Sequence, residues 1–310
     1  MRIRSLLAVA GAACLSAGLV LAGPVDAARA STTSSCATAV FETDGYGHGL
    51  DLVNFDSFNA QLPSGYQAHP IKYQDGVFPG VDEKPLDEAT AGGIATLDRA
   101  VRDFHSQCPD SKMIIAGYSE GAIVAGDELN VLAGSTDIPH GLIQGVLYGD
   151  PRRPFGEGGI GGTAGGLETN LPTILPGVTM HGPRGFGDLA VHEICNENDA
   201  ICNSANMITN ALAFANGWDG YLNGDHGYSI DPVRDQGSGL TFNHQAQRIG
   251  FGAPLPIDIG TPWQLQQQSG GNGQAQQAVR NATATVNSAL PAADKEALQD
   301  SPWFRLLGEA

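Results

Sequence analysis

The chain reads as an α/β protein, a parallel sheet with helices on both faces. Three observations predict this. Short apolar runs alternate with stretches of helical periodicity along the chain. One apolar run, Met113 to Ala116, leads through a glycine-bounded pentapeptide straight into a helix-like segment, Ala122 to Leu129. The chain has 310 residues, enough for one sizeable domain after an N-terminal leader.

The leader comes first. Met1-Arg2-Ile3-Arg4 is a short basic start, and an apolar run from Leu6 to Leu21 follows. Ala28-Arg29-Ala30 has the small-x-small form of a cleavage site. Residues 1–30 are therefore expected to be a secretory signal peptide. The other reading, a transmembrane anchor, fits this Gly- and Ala-rich run less well. No second apolar run is long enough to span a membrane.

Residues 31–258 form the expected folded domain. Thr38 to Phe41 is a buried strand, broken by Thr43-Asp44-Gly45-Tyr46-Gly47. Gln67 to Tyr73 is a second strand. A helix is predicted from Leu86 to Gln107, with Ile94, Leu97, Val101 and Phe104 on one stripe. Cys108-Pro109-Asp110 ends it, because the residue before proline avoids helical backbone. Leu142 to Tyr148 is another strand, closed by Gly149-Asp150-Pro151. Gly156 to Gly166 is a glycine-rich loop or lid; no Lys-Ser/Thr follows it, so phosphate cradling is not indicated. Ala190 to Ile194 is a short strand, and Met207 to Phe214 the core of a helix. Residues 259–310 change character. Gln264 to Gln277 reads as a low-complexity linker, and Asp294 to Leu307 as a short amphipathic helix. There is no internal repeat.

Sixteen basic against 33 acidic residues give a net charge of −17. Such a chain repels phosphate backbones, which argues against nucleic-acid binding. Cys14 lies inside the leader. Cys36, Cys108, Cys195 and Cys202 remain, an even number suited to two disulfides in an oxidising compartment. Three connectivities are open. Cys195 and Cys202 enclose a short loop; Cys36 and Cys108 would then tie the chain start to the entry of the Met113 strand. A zinc site is disfavoured because paired C-x₂-C spacings are lacking. No cofactor is indicated.

The pentapeptide Gly117-Tyr118-Ser119-Glu120-Gly121 has the G-x-S-x-G form of a nucleophile elbow. A serine hydroxyl needs a base to take its proton and donors to hold the oxyanion that forms. In this arrangement the acid and then the histidine follow the serine in the chain. Asp199 is the acid candidate, inside the Cys195–Cys202 stretch; the plain alternative is a surface turn. His226, in Gly224-Asp225-His226-Gly227-Tyr228, suits a base on a loop tip. His244 is its rival, in more packed surroundings. His48, His69, His105, His140, His181 and His192 precede the acid and read as surface or packing residues. For the oxyanion, the backbone N–H of Glu120 is one donor and the loop at Thr43 or Asp44 supplies the second. The Glu120 side chain brings a charge close to that site, and is expected to face solvent or pair with Arg152 or Arg153.

These segments resemble the cutinases, small secreted serine esterases. Cys108-Pro109, the strand, and Gly117-Tyr118-Ser119-Glu120-Gly121-Ala122 are similar to that family's nucleophile segment. Leu147-Tyr148-Gly149-Asp150-Pro151 resembles its strand-ending Gly-Asp-Pro. Cys195 to Cys202 resembles its disulfide loop around the acid, and His226 with Tyr228 its late histidine. The likeness runs from Cys36 to Pro232. It implies a compact α/β-hydrolase with a central, mostly parallel sheet of about five strands. It also implies a Ser119–Asp199–His226 triad and the disulfides Cys36–Cys108 and Cys195–Cys202. Glu120 stands where the family has Gln, and the Glu42 to Gly47 loop lacks its Arg-Gly-Thr/Ser run. Asp150-Pro151-Arg152-Arg153-Pro154 also resembles PE-PPE esterase domains of actinobacteria and phage mycolyl-ester hydrolases. The implied activity is that of a secreted, monomeric carboxylesterase. Its substrates would be a cutin-like polyester, an acylglycerol or a cell-envelope mycolyl ester. The alternative is a non-catalytic hydrolase-fold protein that binds envelope lipid or glycan.

Overall fold

The computed structural model describes residues 36–155, 165–255 and 260–269, with isolated positions 277, 281, 291 and 292. The expected signal peptide, residues 156–164 of the glycine-rich loop, residues 270–276 of the expected linker and the amphipathic helix expected from Asp294 to Leu307 lie outside them.

The chain forms six strands: β1 Thr38–Thr43, β2 Tyr66–Pro70, β3 Met113–Tyr118, β4 Ile143–Tyr148, β5 Ala190–Asn196 and β6 Gly239–Asn243, of which the central four are the apolar ones. They make one sheet in the order β2-β1-β3-β4-β5-β6, and every pairing is parallel. The sixth strand raises the expected count of about five. β6 is an edge strand with one face half-buried, which weakens its apolar signal.

Side-chain alternation along the strands divides the core. Phe41, Met113, Ile115 and Leu147 pack on one face, under the helices α2 (Leu86–Gln107) and α3 (Glu120–Ala133). Val40, Ile114, Ala116 and Val146 point the other way, onto Phe55 and onto Phe58 of the short helix α1 (Asp56–Asn59). A third apolar cluster joins α4 (Leu167–Asn170) to α5 (Ala211–Leu222) through Leu167, Met180, Phe214 and Trp218.

The helix predicted over Met207 to Phe214 begins later, at Ala211. The Asn210 side chain accepts the Ala213 N–H at 3.0 Å and caps it there, and residues 207–209 form a turn. Of the linker expected from Gln264 to Gln277, the first part, Gln264 to Ser269, is helical: Pro262–Ser269 is a helix, α6. Trp263 Nε1 donates to the Met180 carbonyl at 2.8 Å, and Gln266 exchanges hydrogen bonds with Thr173. The polar glutamines there bind backbone on the domain, so composition alone misreads them.

The chain leaves β1 for β2 on one side and returns to β3 on the other. The carboxyl ends of β1 and β3 therefore flank a topological switch point, with Thr43 beside Gly117 in register. A crevice outside the strand ends is the expected ligand site in such a sheet.

Candidate active site

Ser119 sits at that switch point, between β3 and α3. Its backbone has φ 57° and ψ −122°, a conformation that non-glycine residues rarely hold. Its N–H continues the sheet ladder to the Tyr148 carbonyl at 2.9 Å, and its carbonyl accepts the Ala122 N–H to open the helix. The turn is tight enough that a Cβ on Gly121 would lie 2.2 Å from the Thr43 carbonyl oxygen. Glycine is required there by close approach.

Three residues far apart in sequence meet at this turn. Ser119 Oγ lies 2.8 Å from His226 Nε2, and His226 Nδ1 lies 2.7 Å from Asp199 Oδ2. With Nδ1–H facing a carboxylate, Nε2 is left to accept the Ser119 hydroxyl proton. Asp199 is fully buried. Its Oδ1 accepts the Ile201 N–H at 2.9 Å, and its Oδ2 also accepts the Tyr228 hydroxyl at 2.5 Å. The disulfide Cys195–Cys202 closes the loop that carries it, and Cys36–Cys108 forms the second bridge. Both pairings agree with the resemblance.

The histidine loop is clamped by groups the sequence reading passed over. Asn196 Nδ2 donates to the carbonyls of Asp225 and Gly227, either side of His226. Tyr118 OH donates to the His226 carbonyl at 2.9 Å, and the Tyr118 ring stacks on the imidazole with centroids 5.0 Å apart. Tyr221 packs beside it at 5.2 Å. The rival His244 is exposed and lies 3.3 Å from Glu197. His48 and His140 pair with Asp51 and Asp188, His69 packs between Phe41 and Phe104, and His192 bridges Asp235 and Thr241.

The loop after β1 reaches Ser119 as expected: a Cβ on Gly45 would sit 2.9 Å from Ser119 Cβ. The side chains of that loop are otherwise engaged. The Thr43 hydroxyl lies between the Ala116 and Gly121 carbonyls at 3.0 and 2.8 Å. The Asp44 carboxylate accepts from Gly45 N–H, Asn54 N–H and Asn54 Nδ2. An oxyanion donor from Thr43 or Asp44 is thus restricted to backbone, since the one hydroxyl there is committed to carbonyls.

Glu120 corrects an expectation. It neither faces solvent nor pairs with an arginine. Its side chain is buried, and Oε1 accepts the Gly76 N–H at 3.2 Å. Arg152 instead binds Asp127 and the Gly182 carbonyl, and Arg153 binds the Cys202 carbonyl. Burial pushes the Glu120 carboxyl well above the ordinary range, helped by the nearby charges of Asp75 and Asp82. The shift disfavours a charge on this carboxyl beside Ser119.

A cavity of about 420 Å³ opens at Ser119. Phe78, Val81, Leu86, Ile123, Met180 and Trp218 give it an apolar wall, interrupted by Glu120 and Glu168. Glu168, on α4, is a lining residue with no signal in the sequence. Among the described residues, no helix is long and apolar enough to cross a membrane.

The cutinase family model matches residues 30–218, more than half of the chain, including Ser119 and Asp199; His226 lies just beyond. A protein named carboxylesterase Culp6 homolog, from Corynebacterium glutamicum, is 36% identical over 147 residues, 42% of this chain and 48% of its own. A cutinase from Kineococcus radiotolerans is 25% identical over 126 residues, covering 38% of this chain and 36% of its own. The chain thus spans half or less of the length of these curated relatives. The solved structure of a cutinase-like protein from Cryptococcus sp. is 19% identical, covers 64% of this chain and 98% of that one, and has a TM-score of 0.39. With its elbow serine at the sheet's switch point and a family match of this extent, the chain belongs to the cutinase family.

Proposed function

We propose that this protein is a secreted serine carboxylesterase acting on lipid or polyester ester bonds. The unbroken hydrogen-bond relay Ser119–His226–Asp199 at the mouth of an apolar cavity carries this reading. Ser119 Oγ attacks the ester carbonyl carbon while His226 Nε2 takes its proton. Asp199 keeps Nδ1–H oriented and stabilises the imidazolium. The tetrahedral oxyanion is held by the backbone N–H of Glu120 and a backbone N–H of the Thr43–Asp44 loop. His226 then protonates the departing alcohol and activates the water that cleaves the acyl-enzyme.

The cavity wall supports an acyl chain as the bound group, because burying alkyl surface is favourable by about 25 cal/mol per Å². A cutin-like polyester, an acylglycerol and a mycolyl ester all meet that requirement. The two disulfides and the basic-then-apolar leader support an extracellular location. The relay geometry favours an enzyme over a lipid-binding hydrolase fold that lacks activity.

Hydrolysis of a short p-nitrophenyl ester tests the proposal. Ser119→Ala is expected to lower kcat by about 10⁶-fold, as for loss of a triad nucleophile. A fluorophosphonate should label Ser119 and nothing in the variant. Unchanged hydrolysis in Ser119→Ala, or no labelling of folded, oxidised protein, overturns it.

A further inference from the structure

A ring of hydrogen bonds runs around the elbow, and one buried side chain closes it. The Ser119 N–H donates to the Tyr148 carbonyl, and the Ala122 N–H donates to the Ser119 carbonyl, each at 2.9 Å. Tyr148 leads to Gly149, whose backbone packs against the imidazole: a Cβ there would lie 2.8 Å from His226 Cε1. Asp150 follows and is buried. Arg184 Nη2 donates both to Asp150 Oδ1 and to the Ala122 carbonyl, each at 2.8 Å. Arg184 Nη1 donates to Asp127 Oδ1 at 3.1 Å, farther along α3. The guanidinium thus joins the helix that Ser119 opens to the turn that His226 rests on.

Arg184 comes from residues 179–186, which form no helix or strand. Its side chain is 2% exposed, with the Phe186 ring centroid 5.7 Å from Cζ. Helix α3 admits it through Gly126, where a Cβ would overlap the guanidinium. Glycine is less favourable than alanine inside a helix, so this opening is held against local propensity. A buried cation is tolerated only when paired and hydrogen-bonded, and here two aspartates and a carbonyl do so. A planar fork fixes its acceptors relative to one another, which a lysine ammonium does not. We propose that Arg184 is a positioning residue: its fork sets α3 against the Gly149–Asp150 turn and so fixes the approach of Ser119 Oγ to His226 Nε2. The histidine loop has its own clamp in Asn196 and the Cys195–Cys202 disulfide. Loosening Arg184 therefore moves the serine relative to a base that stays in place. The inference rests on the esterase reading for the reaction that this alignment serves.

Arg184→Lys tests it, because it keeps the charge beside Asp127 and Asp150 and removes the fork. Two rates are measured well below the melting temperature: the rate of fluorophosphonate labelling of Ser119, and kcat for a short p-nitrophenyl ester per labelled site. Both are expected to fall by roughly 10- to 100-fold with KM little changed, the scale of a misplacement of up to about 1 Å. Gly126→Ala displaces the guanidinium without removing its charge. It should lower the same two rates and is the decisive variant where Arg184→Lys fails to fold. Unchanged labelling and kcat per labelled site in the folded variant, with only the melting temperature lowered, overturn the proposal and make Arg184 a packing residue. No labelling of the unaltered protein removes the esterase reading, and this proposal with it.

Discussion

Asp199 and Glu120 are both buried carboxyl groups of the Ser119 site, and their surroundings differ in kind. Asp199 is saturated: Ile201 N–H on one oxygen, His226 and Tyr228 on the other. Its loop is closed by a disulfide. Glu120, like Glu168, has one oxygen tied to a backbone N–H and one with none. Saturation fixes a group in place and fits it to orient a partner. An unpaired buried oxygen is a cost to folding and fixes nothing beside it. The two sides of the serine therefore differ in how firmly their carboxyl groups are held.

The largest effect should come from breaking the saturated side. Asp199→Asn preserves size but cannot hold the same imidazole tautomer, and kcat is expected to fall by about 10⁴-fold with the fold retained. Glu168→Gln, on the open side, should cost far less on a plain ester. Steady-state kinetics with circular dichroism as the folding control measures both. Comparable losses in the two variants would erase the distinction between the regions.

The two sides were unequally legible in the sequence. The elbow is a local pattern, strand then turn then helix, so Ser119 stood out. Asp199 was marked by its flanking cysteines and His226 by chain order. The helix from Leu86 to Gln107 was readable to the residue because Cys108-Pro109 stops it and its apolar stripe is regular. Glu168 carried no signal, since it lies in a glycine-rich, aperiodic stretch and reaches the cavity only through the packing of α4 on Met180 and Trp218. The burial of Glu120 depends on the Gly76 turn, 44 residues away. The Tyr118 ring on His226 is likewise a contact across 108 residues. Long-range polar contacts have no periodicity, which is why chain order found the relay and missed its supports.

A second, smaller effect tests the open carboxyls through stability. Burial raises Glu42, Glu128 and Glu168 to about 7 and Glu193 to about 8, from an ordinary value of 4.5. Below about pH 4.5 these groups are protonated in both folded and unfolded chains. Between that pH and about 7 to 8 only the unfolded chain ionises fully, so stability falls as pH rises. His140, raised by its bonds to Ser135 and Asp188, adds the same sign; His69, lowered by burial, opposes it. The lowered Asp82, Asp188 and Asp225 act only below their ordinary value of 3.8. Urea unfolding of the oxidised protein should give a higher midpoint at pH 5 than at pH 8. Glu168→Gln should remove its share, roughly 3 kcal/mol for a displacement from 4.5 to about 7. Greater stability at pH 8 would mean that these carboxyls are paired rather than open.

Tyr228→Phe is the finest cut, because it removes one donor from the saturated side and leaves the rest. The Tyr228 hydroxyl donates to Asp199 Oδ2 and accepts the Asn196 N–H at 3.1 Å. Without it, Asp199 keeps His226 and Ile201 as partners but is held by one donor fewer, so it orients the imidazole less firmly. A loss in kcat of roughly tenfold, about one hydrogen bond, is expected with KM little changed. Loss of stability alone, with kcat unmoved, would make Tyr228 a packing residue. A lowered kcat in a stably folded variant would extend the positioning side of the site by one residue, outward from Asp199 to the strand that carries Asn196.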